Sequence, residues 1–186
     1  MDDLKTMGLN AFNSWHYCDV PFVIGNVVPP PSPEVNLTWA LQDMLSSYKT
    51  TRASAGSRAF ALRSLVHLVG DIGQPLHSTS LYSADFPTGD QGGNLFKVKY
   101  RGAVVNLHNV FDSGAFRLND TLSQPLTTAQ ALRIQALAEE AVKLYPRSSF
   151  SDADVFFDPM AWINSAHSLA VQCNLQNTSK EILFYF

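Results

Sequence analysis

The stretch Leu65-Val-His-Leu-Val-Gly-Asp-Ile-Gly-Gln-Pro-Leu-His77 holds three chemically reactive residues, His67, Asp71 and His77, in the pattern H-x3-D-x5-H. His67 and Asp71 stand i,i+4, which lays both side chains on one face of a helix. Pro75 stops that helix, so His77 falls just past its end. A second pair, His108 and Asp112, repeats the spacing in Asn106-Leu-His-Asn-Val-Phe-Asp112. Four of the five histidines, His16, His67, His77 and His108, sit beside this chemistry. Imidazole and carboxylate are the ligands zinc takes in hydrolytic sites, and mixed N/O ligands also suit iron or manganese. A buried ion pair would explain one His/Asp pair. It does not explain two such pairs together with His77.

Outward from that stretch the chain reads as mainly helical. Residues 57–72 form a central helix that is apolar nearly all round, which predicts a buried helix. Helical spacing of apolar residues also predicts helices over 2–17, 34–49, 126–145 and 158–173, with a short one at 108–114. The Thr127-Thr128 pair caps the 126–145 helix, and Pro146 closes it. Residues 22–33, with Gly25 and the Pro29-Pro-Pro31 run, read as loop, as do the Ser-, Gly- and Asp-rich residues 78–93. Leu95 to Tyr100 and Ala103 to Leu107 flank Arg101-Gly102 and predict a small β-hairpin.

At 186 residues the chain predicts a single domain spanning 1–186 with one substantial core. Apolar content of 46% and charged content of 16% argue for a packed globule and against disorder. A formal charge of −3 supplies no basic footprint for nucleic acid. Divalent ions bound at the His/Asp clusters would reverse that locally. Cys18 and Cys173 are too few for a disulfide framework, and whether they pair is open. Sequons at Asn36, Asn119 and Asn177 fit a glycosylated, secreted or cell-surface protein. No apolar run reaches the roughly 20 residues that span a membrane. Met1 leads straight into Asp2, with no signal peptide in view.

These residues resemble the zinc-dependent single-strand nucleases of fungi and plants, and most closely their protozoan surface 3'-nucleotidase/nuclease relatives. Bacterial zinc phospholipases C share that fold. The matching pieces are Trp15-His-Tyr-Cys-Asp-Val-Pro21, the His67–His77 block, Gly89-Asp-Gln-Gly-Gly-Asn94 and Asn106 to Asp112, with a looser match at Asp158-Pro-Met-Ala-Trp162. The resemblance implies a single-domain multi-helix fold with a small hairpin. It also implies zinc-dependent hydrolysis of phosphodiester bonds in single-stranded DNA and RNA, and of 3'-nucleotides, leaving 5'-phosphates.

The resemblance further implies a ligand set. One zinc takes His16, His67, Asp71 and an upstream carboxylate, with Asp2 the first candidate and Asp3 the alternative. A second zinc takes His77, His108 and Asp112. The family's third zinc, which Asp71 would bridge, uses a mature N-terminal tryptophan and a nearby histidine that are not found before Asp2. The resemblance thus predicts two ions here, a chain shortened at both ends relative to the family, and reduced activity. Asp71 and Asp19 are the expected catalytic carboxylates, Asp19 by positioning the attacking water, unless it is simply a turn residue before Pro21. Tyr17 and Asn94 are expected to meet substrate, Tyr17 by stacking a base. Ordinary packing at a helix end is the other reading of Tyr17. A zinc phospholipase C and a zinc-binding remnant with little activity stay open as alternatives.

Overall fold

The computed structural model describes residues 10–118, 122–123, 125–151 and 156–172. Among these, five α-helices and two small sheets make a mainly helical architecture. The helices are α1 (Leu37–Lys49), α2 (Ala55–Gly73), α3 (Leu107–Asp112), α4 (Thr128–Leu144) and α5 (Pro159–Ala170). The strands are β1 (Val20–Val23), β2 (Thr79–Tyr82), β3 (Lys97–Tyr100) and β4 (Ala103–Asn106). The expected hairpin is present as the antiparallel β3–β4 pair, with Lys97 opposite Asn106 and Tyr100 opposite Ala103.

Polar side chains define where the helices start. Asn36 accepts from the backbone N–H groups of Thr38 and Trp39 at the head of α1. Ser54 caps α2 through Ser57 N–H, and Asp158 caps α5 through Ala161 N–H. Thr127 and Gln130 form a reciprocal capping box on α4. Each such cap satisfies N–H groups that a helix end leaves unpaired.

The core is built around α1 and α2. Leu37, Ala40 and Leu41 of α1 meet Ala61, Leu68 and Ile72 of α2, with Ile163 of α5 and Trp15 completing the cluster. A second cluster joins Leu76, Val98, Tyr100, Leu107 and Val110 beneath the hairpin and α3.

Three expectations need correction. Residues 10–16 form no α-helix: only a 3-10 turn, Asn13–His16, is formed there, and residues 1–9 lie outside the described residues. Trp15 anchors this turn by packing on Phe12 and Trp39. Secondly, β1 runs into the segment 22–33 read as a loop and β2 lies within the segment 78–93 read as another; the two pair in parallel with Val20 opposite Thr79. Pro21 falls inside β1, where a two-stranded sheet leaves an edge that tolerates its missing N–H. Thirdly, α2 is not buried all round. Ala61, Ser64, Leu68 and Ile72 face the core, whereas Val66 is 71% exposed and Phe60, Leu62 and Val69 are also exposed. Helix α4 likewise contributes no buried residue.

Candidate metal centre

Two backbone devices bring the distant histidines together. The Cys18 N–H donates to the His77 carbonyl at 2.8 Å, and the Val20 N–H donates to the Ser78 carbonyl at 3.1 Å. The segment after His16 is therefore laced to the segment that carries His77, and the β1–β2 pairing continues the lacing. The third approach comes from α3, whose head is fixed by Asn106 capping the Asn109 N–H.

The result is an open cleft of about 860 Å3 in which six residues form two sets. In the first, Asp71 Oδ2 lies 2.9 Å from His16 Nδ1 and 3.2 Å from His67 Nε2. The two imidazole nitrogens are 3.1 Å apart. In the second, His108 Nε2 lies 3.2 Å from Asp112 Oδ2, and His77 Nε2 lies 3.7 Å from Asp112 Oδ1. The His77 and His108 rings stack with centroids 5.0 Å apart, while His16 and His67 meet edge to face.

Asp71 faces both sets. Its Oδ2 serves His16 and His67, and its Oδ1 stands 3.6 Å from His77 Nδ1. That His77 nitrogen is buried and has no hydrogen-bond partner among the described residues.

The electrostatics hold both carboxyls anionic and push His77 towards its neutral form, while His108 is drawn towards its protonated form. Burial pushes the Asp71 carboxyl up, but hydrogen bonds from His16 and His67 outweigh it and hold the carboxyl at about 2. Burial also pushes Asp112 up, and the His108 and Gln74 contacts outweigh it and hold it below the ordinary carboxylate range. Burial drives His77 down, towards the neutral form that can offer a lone pair. For His108 burial acts downward, and the Asp112 carboxylate and the Gly92 carbonyl overcome it.

Donor spacing provides the fit test for a metal. Four ligands on zinc at roughly 2.0–2.1 Å in a tetrahedron lie about 3.3 Å from one another. The three donors of the first set, 2.9 to 3.2 Å apart, come close to that spacing, and each set has its donor atoms within 4.8 Å of one another. Each set can therefore hold a metal ion.

The remaining expected residues fall as follows. Tyr17, Asp19 and Asn94 all line the same cleft. Tyr17 is 37% exposed, so its ring is not an ordinary core residue. Burial and the nearby Asp90 charge push the Asp19 carboxyl up to about 6, His108 opposing. Asn94 folds its side-chain amide back onto the Gln91 carbonyl at 2.9 Å. Asn36 spends its side chain on capping α1 and on the Pro33 carbonyl. Asp2, Asp3, Asn119, Cys173 and Asn177 lie outside the described residues. Cys18 is buried and has no disulfide partner among the described residues.

Two orienting groups were not foreseen. Gln74 donates to Asp112 Oδ1 at 2.8 Å, which aims that carboxylate. The Gly92 carbonyl lies 2.7 Å from His108 Nδ1. The Gly92-Gly93 doublet was the only sequence signal for the second, and nothing marked the first. Among the described residues no helix is long and apolar enough to cross a membrane.

Comparison with known proteins places these features. A 59-residue stretch is 42% identical to Nuclease S1 of Aspergillus oryzae, covering 31% of this chain and 18% of that protein. A 53-residue stretch is 43% identical to Endonuclease 4 of Arabidopsis thaliana, covering 28% of this chain and 15% of that protein. The chain thus aligns with less than a fifth of the length of either relative. The family comparison reaches much further, matching residues 1–183, and the chain belongs to the S1/P1 nuclease family.

Proposed function

We propose that this protein hydrolyses phosphodiester bonds in single-stranded DNA and RNA, and the phosphate ester of 3'-nucleotides, in a zinc-dependent reaction that leaves 5'-phosphates. Family membership supports the reaction class. The observation that carries the reading is Asp71, whose two oxygens face two separate His/Asp sets in one cleft. A single structural ion pair would not need a second set 3.6 Å beyond it.

In this reading His16, His67 and Asp71 hold one zinc, with Asp2 as the additional carboxylate. His77, His108 and Asp112 hold the other. When bound, zinc supplies Lewis acidity towards phosphoryl oxygens and a means of acidifying water near neutral pH. The protein's own groups do the rest. Asp71, held on α2 beside His67, presents one oxygen to each set and so helps to order the site before substrate arrives. Asp19, poised near 6, can accept a hydrogen bond from an attacking water and take its proton. The exposed Tyr17 ring offers a stacking face for a base that is not paired, which favours single strands. Asn94 stands at the rim, where a small swing of its amide would meet a base or sugar edge. Secretion or cell-surface display, and glycosylation at Asn36, Asn119 and Asn177, belong to the same proposal, as does the organisation of residues 1–186 as one domain.

The test is hydrolysis of a single-stranded oligonucleotide, a 3'-nucleotide and a phosphatidylcholine analogue by zinc-loaded protein. Cleavage of the first two with 5'-phosphate ends, abolished by a chelator, is expected. Cleavage of the lipid analogue alone would identify a phospholipase C instead.

A further inference from the structure

His108 is gripped twice by one short turn. The ring nitrogen Nδ1 lies 2.7 Å from the Gly92 carbonyl, and the backbone N–H donates to the Gly93 carbonyl at 3.3 Å. A carbonyl has no hydrogen to give, so Nδ1 must be the protonated nitrogen. That makes Nε2, the atom facing Asp112, the nitrogen through which His108 would bind a metal.

The turn can do this only because of its glycines. Gly92 has φ +60°, and a Cβ there would meet the Leu76 carbonyl oxygen at 2.5 Å. Gly93 has φ +80°, and a Cβ there would meet Leu76 Cδ1 at 3.0 Å. The backbone at 92–93 is thus pressed against the residue preceding His77.

What holds the turn in place is Asp90, which is 1% exposed. Its Oδ1 accepts from the Leu81 N–H at 2.9 Å and from the Ser80 hydroxyl at 3.2 Å. Its own N–H donates to the Leu81 carbonyl at 3.0 Å, and its carbonyl accepts from Leu95 at 3.0 Å. The Ser80 hydroxyl also receives the Gly92 N–H at 3.5 Å. A buried carboxylate is a costly way to pin a turn, and this one sits two residues from the carbonyl that orients a ligand.

We infer that Asp90 is a positioning residue for the second zinc, acting through the Gly92 carbonyl to fix the tautomer and aim of His108. The inference rests on the metal reading above. Groups that orient a metal-bound histidine typically govern metal affinity by roughly 10- to 100-fold.

The experiment titrates zinc against a chelator of known affinity, using the whole chain and its Asp90→Ala, Asp90→Asn and Gly92→Ala variants. Asp90→Ala and Gly92→Ala should weaken one of two zinc sites by roughly 10- to 100-fold and leave the other unchanged. Asp90→Asn keeps an oxygen acceptor for Leu81 and Ser80, so it should restore most of the affinity. Equal weakening of both sites, or of neither, overturns the inference while leaving the two-zinc reading intact. A wild-type protein that binds no zinc overturns both. Because Asp90→Ala can disturb folding, the wild type supplies an independent check by nitrogen-15 NMR. The His108 ring should carry its proton on Nδ1 in the zinc-loaded protein, and a proton on Nε2 would refute the inference.

Discussion

Asp71 Oδ1 and His77 Nδ1 approach to 3.6 Å across the break between α2 and the 3-10 turn Pro75–His77. The helix has ended at Gly73, and the chain has turned at Gln74 and Pro75 before His77 comes back to face it. This return puts a residue of the second set against the carboxylate of the first. It brings the two sets into one cleft.

Asp71→Asn should therefore be more damaging than His108→Ala. The asparagine loses the charge that His16, His67 and His77 all face. Its rate on a single-stranded oligonucleotide should drop about 100-fold or more, the equivalent of about 3 kcal/mol. His108→Ala should remove only the ion of the second set. Initial rates of both variants beside the wild type check the ordering.

Asp19 sets a pH dependence on the metal-free protein. Its carboxyl is raised from 3.8 to about 6 on folding, so the folded state holds the proton more tightly. The associated stability is present below the unfolded value and is lost as pH rises through about 6. Asp19→Asn should raise the metal-free Tm at pH 8, by about 1 to 3 kcal/mol in stability, and change little at pH 4. Thermal unfolding in a chelator at the two pH values gives the comparison.

Asp71 runs the other way. Its carboxyl is about 2 in the folded protein, so its contribution is present above 3.8 and is lost as pH falls towards 2. Asp71→Asn should flatten the acid limb of the metal-free stability curve between pH 4 and 2. An unaltered limb would contradict the hydrogen bonding assigned to Asp71.

The packing beneath the centre gives a separate prediction. Leu68 is fully buried between α1 and α2, next in sequence to His67. Leu68→Ala should cost about 2–5 kcal/mol. Val66→Ala, on the exposed face of the same helix, should cost far less. Urea unfolding midpoints of the two variants separate them.

The centre was largely legible in the sequence because its local geometry is periodic. His67/Asp71 and His108/Asp112 are each one helical turn apart, and spacing alone places such pairs on a common face. Non-local pairing left no such mark. Val20 meets Thr79 through a parallel pair whose first strand contains Pro21, and the lacing of Cys18 to His77 is made by backbone atoms. Helix α2 reads as buried because it is apolar on every side, yet Val66 is open to solvent. Composition reports what a face is made of, and only the neighbouring elements decide whether it is covered. The Gly92 carbonyl was hidden for a related reason: a backbone acceptor has no side chain to announce it.

The most direct measurement is zinc per folded chain, by elemental analysis after exhaustive dialysis, in the wild type and in Asp71→Asn. Two ions are expected in the wild type and no more than one in the variant. A folded wild type without zinc, or equal zinc in the two proteins, would contradict this.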